Sequence, residues 1–429
     1  MTPPRLFRSR FVARAAGTLL LLAWTALWVC SFARDQSCAR SWSWLPLWDK
    51  LSVDFTGNFL CSRAWVSGAD PYKVHFSSPF PVTYGYTPQT LWHFAWCALV
   101  PSRHAASLVW FAASTAIIAC AAVICLRQRT RLGLRPIDPA LALAMVLFSS
   151  PVFFELERAN CNGLILLHVL LAAAALRLRS FGGDLAAGSL LALAAWTKIY
   201  PAAAIPALLV LGRPRAFAAA ICAGILFGVL DLGGLREFWL HRQATASMHH
   251  PAVHGAYDLF MHPAGAWWVL LWRKAGITFF EGGSQSLYAA AIMAPFLLVA
   301  TIPVWRMRAP KREMLTLPYL LIVISAATFL LPIANDYNLL FLPLALVCVI
   351  GPQSGWLAVT LFIAALPWLQ PFRVPIDAFT MTALKLCCLG AAAVGLHARA
   401  RFIDASAESG TALPDEHHRE EVSCPKPVH

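Results

Sequence analysis

Long apolar runs, each closed by a charge, a proline or a glycine, recur along most of the chain. They fall near 13–33, 104–125, 139–155, 160–178, 184–197, 199–212, 214–233, 286–305, 315–332, 336–350, 355–369 and 378–398. A helix of about 20 apolar residues covers the ~30 Å of bilayer hydrocarbon at ~1.5 Å per residue. The pattern therefore predicts an all-α fold, a polytopic transmembrane helical protein of about 12 spans. Several runs are short for a full crossing, so some helices are expected to be broken or to lean on their neighbours. The stretch 86–101, YTPQTLWHFAWCALVP, is apolar enough to enter the membrane but too short between its prolines to cross it. Such a length suits an interfacial or re-entrant helix.

Composition agrees with a membrane protein: of 429 residues, 59% are hydrophobic and 13% charged, and the mean hydropathy is +0.62. The formal charge of +13 would point to a nucleic-acid partner if the basic residues shared one solvated face. Instead they form short clusters between apolar runs, as at 127–131 and 306–312, the pattern of cytoplasmic loops. With Arg5, Arg8, Arg10 and Arg14 inside, and 86–101 interfacial, the later clusters (Arg177 and Arg179, Arg213 and Arg215, Arg399 and Arg401) also fall inside. Both termini are then cytoplasmic in a multi-pass protein of the cell membrane. Residues 1–400 form one transmembrane domain with long outer loops at 34–87 and 234–285, and 401–429 is a disordered cytoplasmic tail. The basic, apolar amino terminus resembles a signal sequence, yet its length and the spans that follow favour an uncleaved first helix.

Most cysteines lie inside apolar runs and act as small apolar residues. Cys38 and Cys61 share the first outer loop, on the oxidising side, where a disulfide between them is one alternative.

The polar candidates gather at outward turns. Asp54 precedes a stretch with Phe55, Phe59, Leu60, Trp65 and Val66 at roughly helical spacing, which predicts a helix at the membrane surface that Asp54 starts. Its carboxylate is either a helix cap, a solvated loop acid or a catalytic group. Asp70, before Pro71, is expected to shape a turn. Glu155 and Glu157 flank the turn near 156–162, where solvation is the default.

The run Asp54-Phe55, the aromatic helix, Gly68-Ala69-Asp70-Pro71-Tyr72 and then Tyr86-Thr87-Pro88 resembles the opening loop of glycosyltransferase family 87. The likeness continues through Asn160-Cys161-Asn162, Ala187-Gly188 and Lys198-Ile199-Tyr200-Pro201, and covers most of the chain from about 50 to 230. One departure is that the family often has Gly-Gln before the turn's asparagine, where this chain has Ala159-Asn160. The resemblance implies a transferase of the GT-C class that takes a sugar from a polyprenyl-phosphate donor to an extracytoplasmic glycan or glycolipid acceptor. Mannose is the family's most familiar sugar, with other hexoses and arabinose as alternatives.

Under that resemblance Asp54 is the candidate base for an acceptor hydroxyl, in an inverting displacement. Lys198 is the candidate cation for the leaving phosphate, with a lysine that snorkels to the interface as the alternative, and Arg158 is a second cation on the same side. Asp70, Tyr72, Tyr86, Asn160 and Asn162 are candidate substrate contacts, the tyrosines as sugar platforms or as interface-belt residues. Among His241, His249, His250, His254 and His262, the pair His250 and His254 is interrupted by Pro251, so a phosphate or acceptor contact is preferred over a metal cage. Asn335 and Asp336 border the acceptor or form a hydrated hairpin. No cofactor and no nucleic acid are expected; the bilayer is a partner. The rival from another class is a transporter or flippase of lipid-linked glycans, which would place charges at midmembrane on broken helices.

Overall fold

The computed structural model describes residues 3–33, 52–74, 84–244, 264–279, 283–331, 336–351 and 378–408. Among these, every regular element is helical. In chain order they are α1 (Pro3–Ala33), α2 (Val53–Val66), α3 (Pro88–Phe94), α4 (Arg103–Arg131), α5 (Pro139–Leu147), α6 (Ser150–Arg158), α7 (Asn162–Leu176), α8 (Phe181–Thr197) and α9 (Ala204–Val210). There follow α10 (Pro214–Leu230), α11 (Leu232–Ala244), α12 (Ala264–Lys274), α13 (Gln285–Arg306), α14 (Ala309–Arg312), α15 (Thr316–Phe329), α16 (Phe341–Val349) and α17 (Ala378–Glu408).

The boundaries follow local chemistry. Ser102 accepts a hydrogen bond from Ala105 N, Asp138 from Ala140 N and Leu141 N, and Ser180 from Gly183 N, each meeting N–H groups that a helix start leaves over. Pro151 has no N–H to continue the α5 ladder, and α5 and α6 meet at 60°. At Asp231 the backbone leaves helical geometry, its carboxylate accepts Gly234 N at 3.0 Å, and α10 and α11 meet at 85°.

Among the described residues, four helices are long and apolar enough to cross a bilayer, α1, α4, α13 and α17, or six segments if each bent pair is one span. This is fewer than the twelve expected, for a physical reason. Every residue of α15 and α16 is buried, so these helices are wrapped by protein rather than lipid and need not match the ~30 Å of hydrocarbon. The run 355–369 lies outside the described residues. Stretch 86–101 forms the seven-residue α3 and a 3-10 turn, Ala95–Leu99, about 20 Å of chain and short of a crossing. Helix α17 continues to Glu408, past the expected end of the membrane domain at 400.

Helices α8 and α10 pack closely because Gly188 has no side chain; a Cβ there would lie 2.4 Å from Ala216 O. Gly17 does the same for α1 against α5, where a Cβ would lie 2.3 Å from Leu141 N. Arg129, expected in a cytoplasmic cluster, is instead buried. Its Nη1 donates to Ile350 O at 2.7 Å and Val347 O at 3.3 Å, closing carbonyls at the end of α16.

Candidate active site

The C-terminal ends of α6 and α8, the N-termini of α2 and α7, and the 3-10 turn Asp336–Leu340 between α15 and α16 meet at one end of the bundle. Helix α2 runs over the predicted stretch and is held by an aromatic wall. Phe55 packs on Phe94, Trp96 and Trp110, with ring centroids 5.9–6.4 Å apart. Its first turn is fastened to α6 by Ser52 N donating to Glu157 O at 2.8 Å.

Asp54 lies in that first turn, but its carboxylate does not cap the helix. Arg158 grips it with both arms of the guanidinium, Nη2 to Oδ1 at 2.5 Å and Nε to Oδ2 at 3.0 Å, and each side chain is only 13% exposed. The solvated-acid reading is excluded by this burial. Asn160 Nδ2 donates to Asp54 Oδ2 at 2.6 Å and to the Tyr86 hydroxyl at 3.1 Å.

The turn that carries Asn160 is made by Ala159, whose φ of 51° and ψ of 48° are left-handed and end α6. A glycine would adopt that conformation without the Cβ clash. Trp110 Nε1 donates to Asn160 O at 3.1 Å, and Asn160 Oδ1 accepts Cys161 N at 2.7 Å, so the turn is bonded on both sides.

Lys198, the residue just past α8, turns into the bundle instead of reaching outward. Its Nζ donates to Asn160 Oδ1 at 2.7 Å, Asn162 Oδ1 at 2.9 Å and Asn338 Oδ1 at 3.1 Å, with the Tyr86 ring centroid 5.7 Å away. This geometry is not that of a snorkelling chain. Asn162 Oδ1 also accepts the Tyr200 hydroxyl at 2.6 Å.

Glu155 and Glu157 are 1% and 5% exposed, which corrects the expectation that they are solvated. The reason is the 60° bend between α5 and α6, which carries α6 under the first turn of α2 instead of out into solvent. Glu155 Oε2 accepts Asn162 Nδ2 at 2.8 Å and Oε1 accepts Gly163 N at 3.0 Å, so this acid caps α7.

Asp70 makes none of these contacts. It accepts Tyr72 N at 2.9 Å and pairs with Lys73 Nζ at 2.9 Å, which forms the 3-10 turn Pro71–Lys73. Burial pulls the Asp70 carboxyl upward, but the Lys73 and Tyr72 hydrogen bonds and the charges of Lys73 and His241 outweigh it and hold it below the usual range. Tyr72 is buried, and its hydroxyl donates to Tyr86 O at 3.1 Å, so it reaches the cluster through the Tyr86 main chain. Cys61 is a buried thiol that donates to Pro71 O at 3.3 Å; Cys38, the other half of the disulfide alternative, lies outside the described residues.

His250, His254 and Asn335, with His249 and His262, also lie outside the described residues, while Asp336 opens the 3-10 turn that presents Asn338. His241, on α11, stands beside Tyr72 with ring centroids 5.7 Å apart. The structure thus joins Asp54, Arg158, Tyr86, Asn160, Asn162 and Lys198 in one network and adds Glu155, Tyr200 and Asn338. Tyr200 stands inside the Lys198-Ile199-Tyr200-Pro201 motif, so its position was a signal. Asn338 lies two residues past Asp336 on a turn that a hydrated hairpin explained equally well.

A helical membrane protein with acid, ammonium, guanidinium and amides gathered at one end of its bundle is the class that fold and cluster define. The sequence model of glycosyltransferase family 87 matches residues 84–332, more than half of the chain, and the chain belongs to that family. Membership makes it a membrane glycosyltransferase. The match starts at residue 84, past Asp54 and near the end of the loop 34–87, and extends beyond 230, where the resemblance in the sequence faded. The chain matches no curated protein and no solved structure.

Proposed function

We propose that the protein transfers one sugar, mannose or another hexose or arabinose, from a polyprenyl-phosphate donor to an extracytoplasmic glycan or lipid acceptor. The observation that carries this reading is the coupling of Asp54 to Lys198 through the single side chain of Asn160, which receives Lys198 Nζ on its oxygen and gives Nδ2 to Asp54. A carboxylate and a cation held one amide apart suit a reaction that takes a proton from an acceptor and leaves charge on a phosphate.

In this reading the acceptor hydroxyl gives its proton to Asp54 Oδ1, the oxygen that receives one hydrogen bond where Oδ2 receives two. The acceptor oxygen attacks the anomeric carbon from the face opposite the phosphate. The bond to the phosphate oxygen breaks with its electron pair, and Lys198 meets that charge by exchanging its longest amide bond, to Asn338 at 3.1 Å, for a phosphate oxygen. Arg158 holds the Asp54 carboxylate in place, and the Tyr86 ring offers a face for the sugar.

The test is purified protein in detergent with a panel of labelled polyprenyl-phosphate sugars and a glycolipid acceptor. One donor should be consumed, with free polyprenyl phosphate released and the product's anomeric configuration inverted. With the protein reconstituted into vesicles, movement of intact donor across the bilayer without transfer would instead support the flippase.

A further inference from the structure

Asp54 and Glu155 lie at opposite ends of one hydrogen-bonded chain whose centre is Lys198. Written along its bonds, the chain runs from Asp54 Oδ2 to Asn160 Nδ2, from Asn160 Oδ1 to Lys198 Nζ, from Nζ to Asn162 Oδ1, and from Asn162 Nδ2 to Glu155 Oε2, at 2.6, 2.7, 2.9 and 2.8 Å. A carboxylate oxygen only accepts, and an ammonium only donates. Each acid therefore fixes which way the neighbouring amide turns, with nitrogen toward the acid and oxygen toward the lysine. We propose that Glu155 is a positioning residue, which acts through Asn162 to hold the Lys198 ammonium for a phosphate-bearing substrate; this rests on the function proposed above.

A neutral amide at position 155 cannot replace both acceptors, since Glu155 Oε2 and Oε1 each receive a bond. Glu155 Oε1 accepts Gly163 N at 3.0 Å, so an amide placed at position 155 keeps that bond only with its oxygen toward Gly163 and its nitrogen toward Asn162. Two NH₂ groups then face each other. If Asn162 flips in response, it turns its nitrogen on Lys198 Nζ and on the Tyr200 hydroxyl, which now donates to Oδ1 at 2.6 Å. Unflipped, Asn162 loses the bond from Nδ2 to position 155 that fixes its orientation; flipped, it takes its oxygen away from the ammonium.

The same reasoning gives a rescue. In the double variant Glu155→Gln/Asn162→Asp, the new amide at 155 accepts Gly163 N and donates to the new carboxylate at 162, whose other oxygen receives Lys198 and Tyr200. The polarity of the chain is restored with the charge moved one residue along. A residue that merely fills space at 155 would not be rescued by changing 162.

The experiment compares wild type, Glu155→Gln and the double variant in detergent. It follows reductive methylation of Lys198 by formaldehyde with cyanoborohydride as the reductant, read by mass spectrometry, alongside thermal unfolding and donor turnover. Glu155→Gln should raise the Lys198 methylation rate and lower kcat, each by about tenfold, as expected for a lost hydrogen bond to a charged group. The double variant should return both toward wild type. Unchanged methylation in Glu155→Gln, or a double variant as perturbed as the single, overturns the proposal. If Glu155→Gln does not fold, a folded double variant with wild-type methylation supports it, and failure of both to fold counts against it. Methylation needs no substrate, so wild type that turns over no donor refutes the functional reading while the methylation pattern still decides the role of Glu155.

Discussion

Arg158 and Asp54, 104 residues apart in sequence, form a two-pronged ion pair that fastens the end of α6 to the start of α2. Two parallel N–H···O bonds fix the carboxylate plane as well as its position. Arg158→Lys keeps the charge but not the fork and should lower turnover while the protein still folds. Arg158→Gln removes the positive charge that pairs with a nearly buried acid and should also cost about 1–3 kcal/mol of stability. Thermal unfolding and donor turnover of the purified variants separate the two effects.

Lys198→Met keeps the stem and removes the charge. Turnover should fall sharply, and because Asn160, Asn162 and Asn338 all lose a donor, thermal stability should fall as well. Lys198→Arg should recover part of the activity, since it restores the charge in a different shape. Wild-type turnover in the methionine variant would remove Lys198 from the chemistry.

Ala159 holds a left-handed backbone that a Cβ disfavours. Ala159→Gly should raise stability by about 1 kcal/mol, the order of the strain relieved after the added freedom of the unfolded chain is counted. A lowered midpoint in thermal unfolding would show that the Ala159 methyl, which is buried, contributes more by packing than it costs in strain.

Sidedness is tested with single cysteines on a cysteine-free background, at Ser67 and Thr130, both exposed. A membrane-impermeant thiol reagent on intact cells should label position 67 and spare 130. Labelling at 130 and not at 67 would invert the arrangement of the loops.

The apolar runs made most helices legible, because a helix needs little more than a run of apolar residues and a proline, glycine or charge to stop it. The span count was not legible. Whether a helix such as α15 meets lipid or protein depends on its neighbours, and its own residues are apolar either way. Asp54, Asn160, Asn162 and Lys198 stood out as polar groups at helix ends, yet nothing local could pair Asp54 with Arg158. Glu155 was misjudged for the same reason: a carboxylate at a helix end is ordinarily solvated, and only the bend after α5 turns this one inward.

The most direct test of the account compares Asp54→Asn with Asp70→Asn in turnover and in donor binding. Asp54→Asn keeps the size of the side chain and removes the base, so kcat should fall by about 10²- to 10⁴-fold while the donor still binds. Asp70→Asn should weaken the Pro71–Lys73 turn and change kcat far less. Wild-type turnover in the Asp54 variant, or a larger loss of kcat in the Asp70 variant, would contradict the assignment of Asp54 as the base.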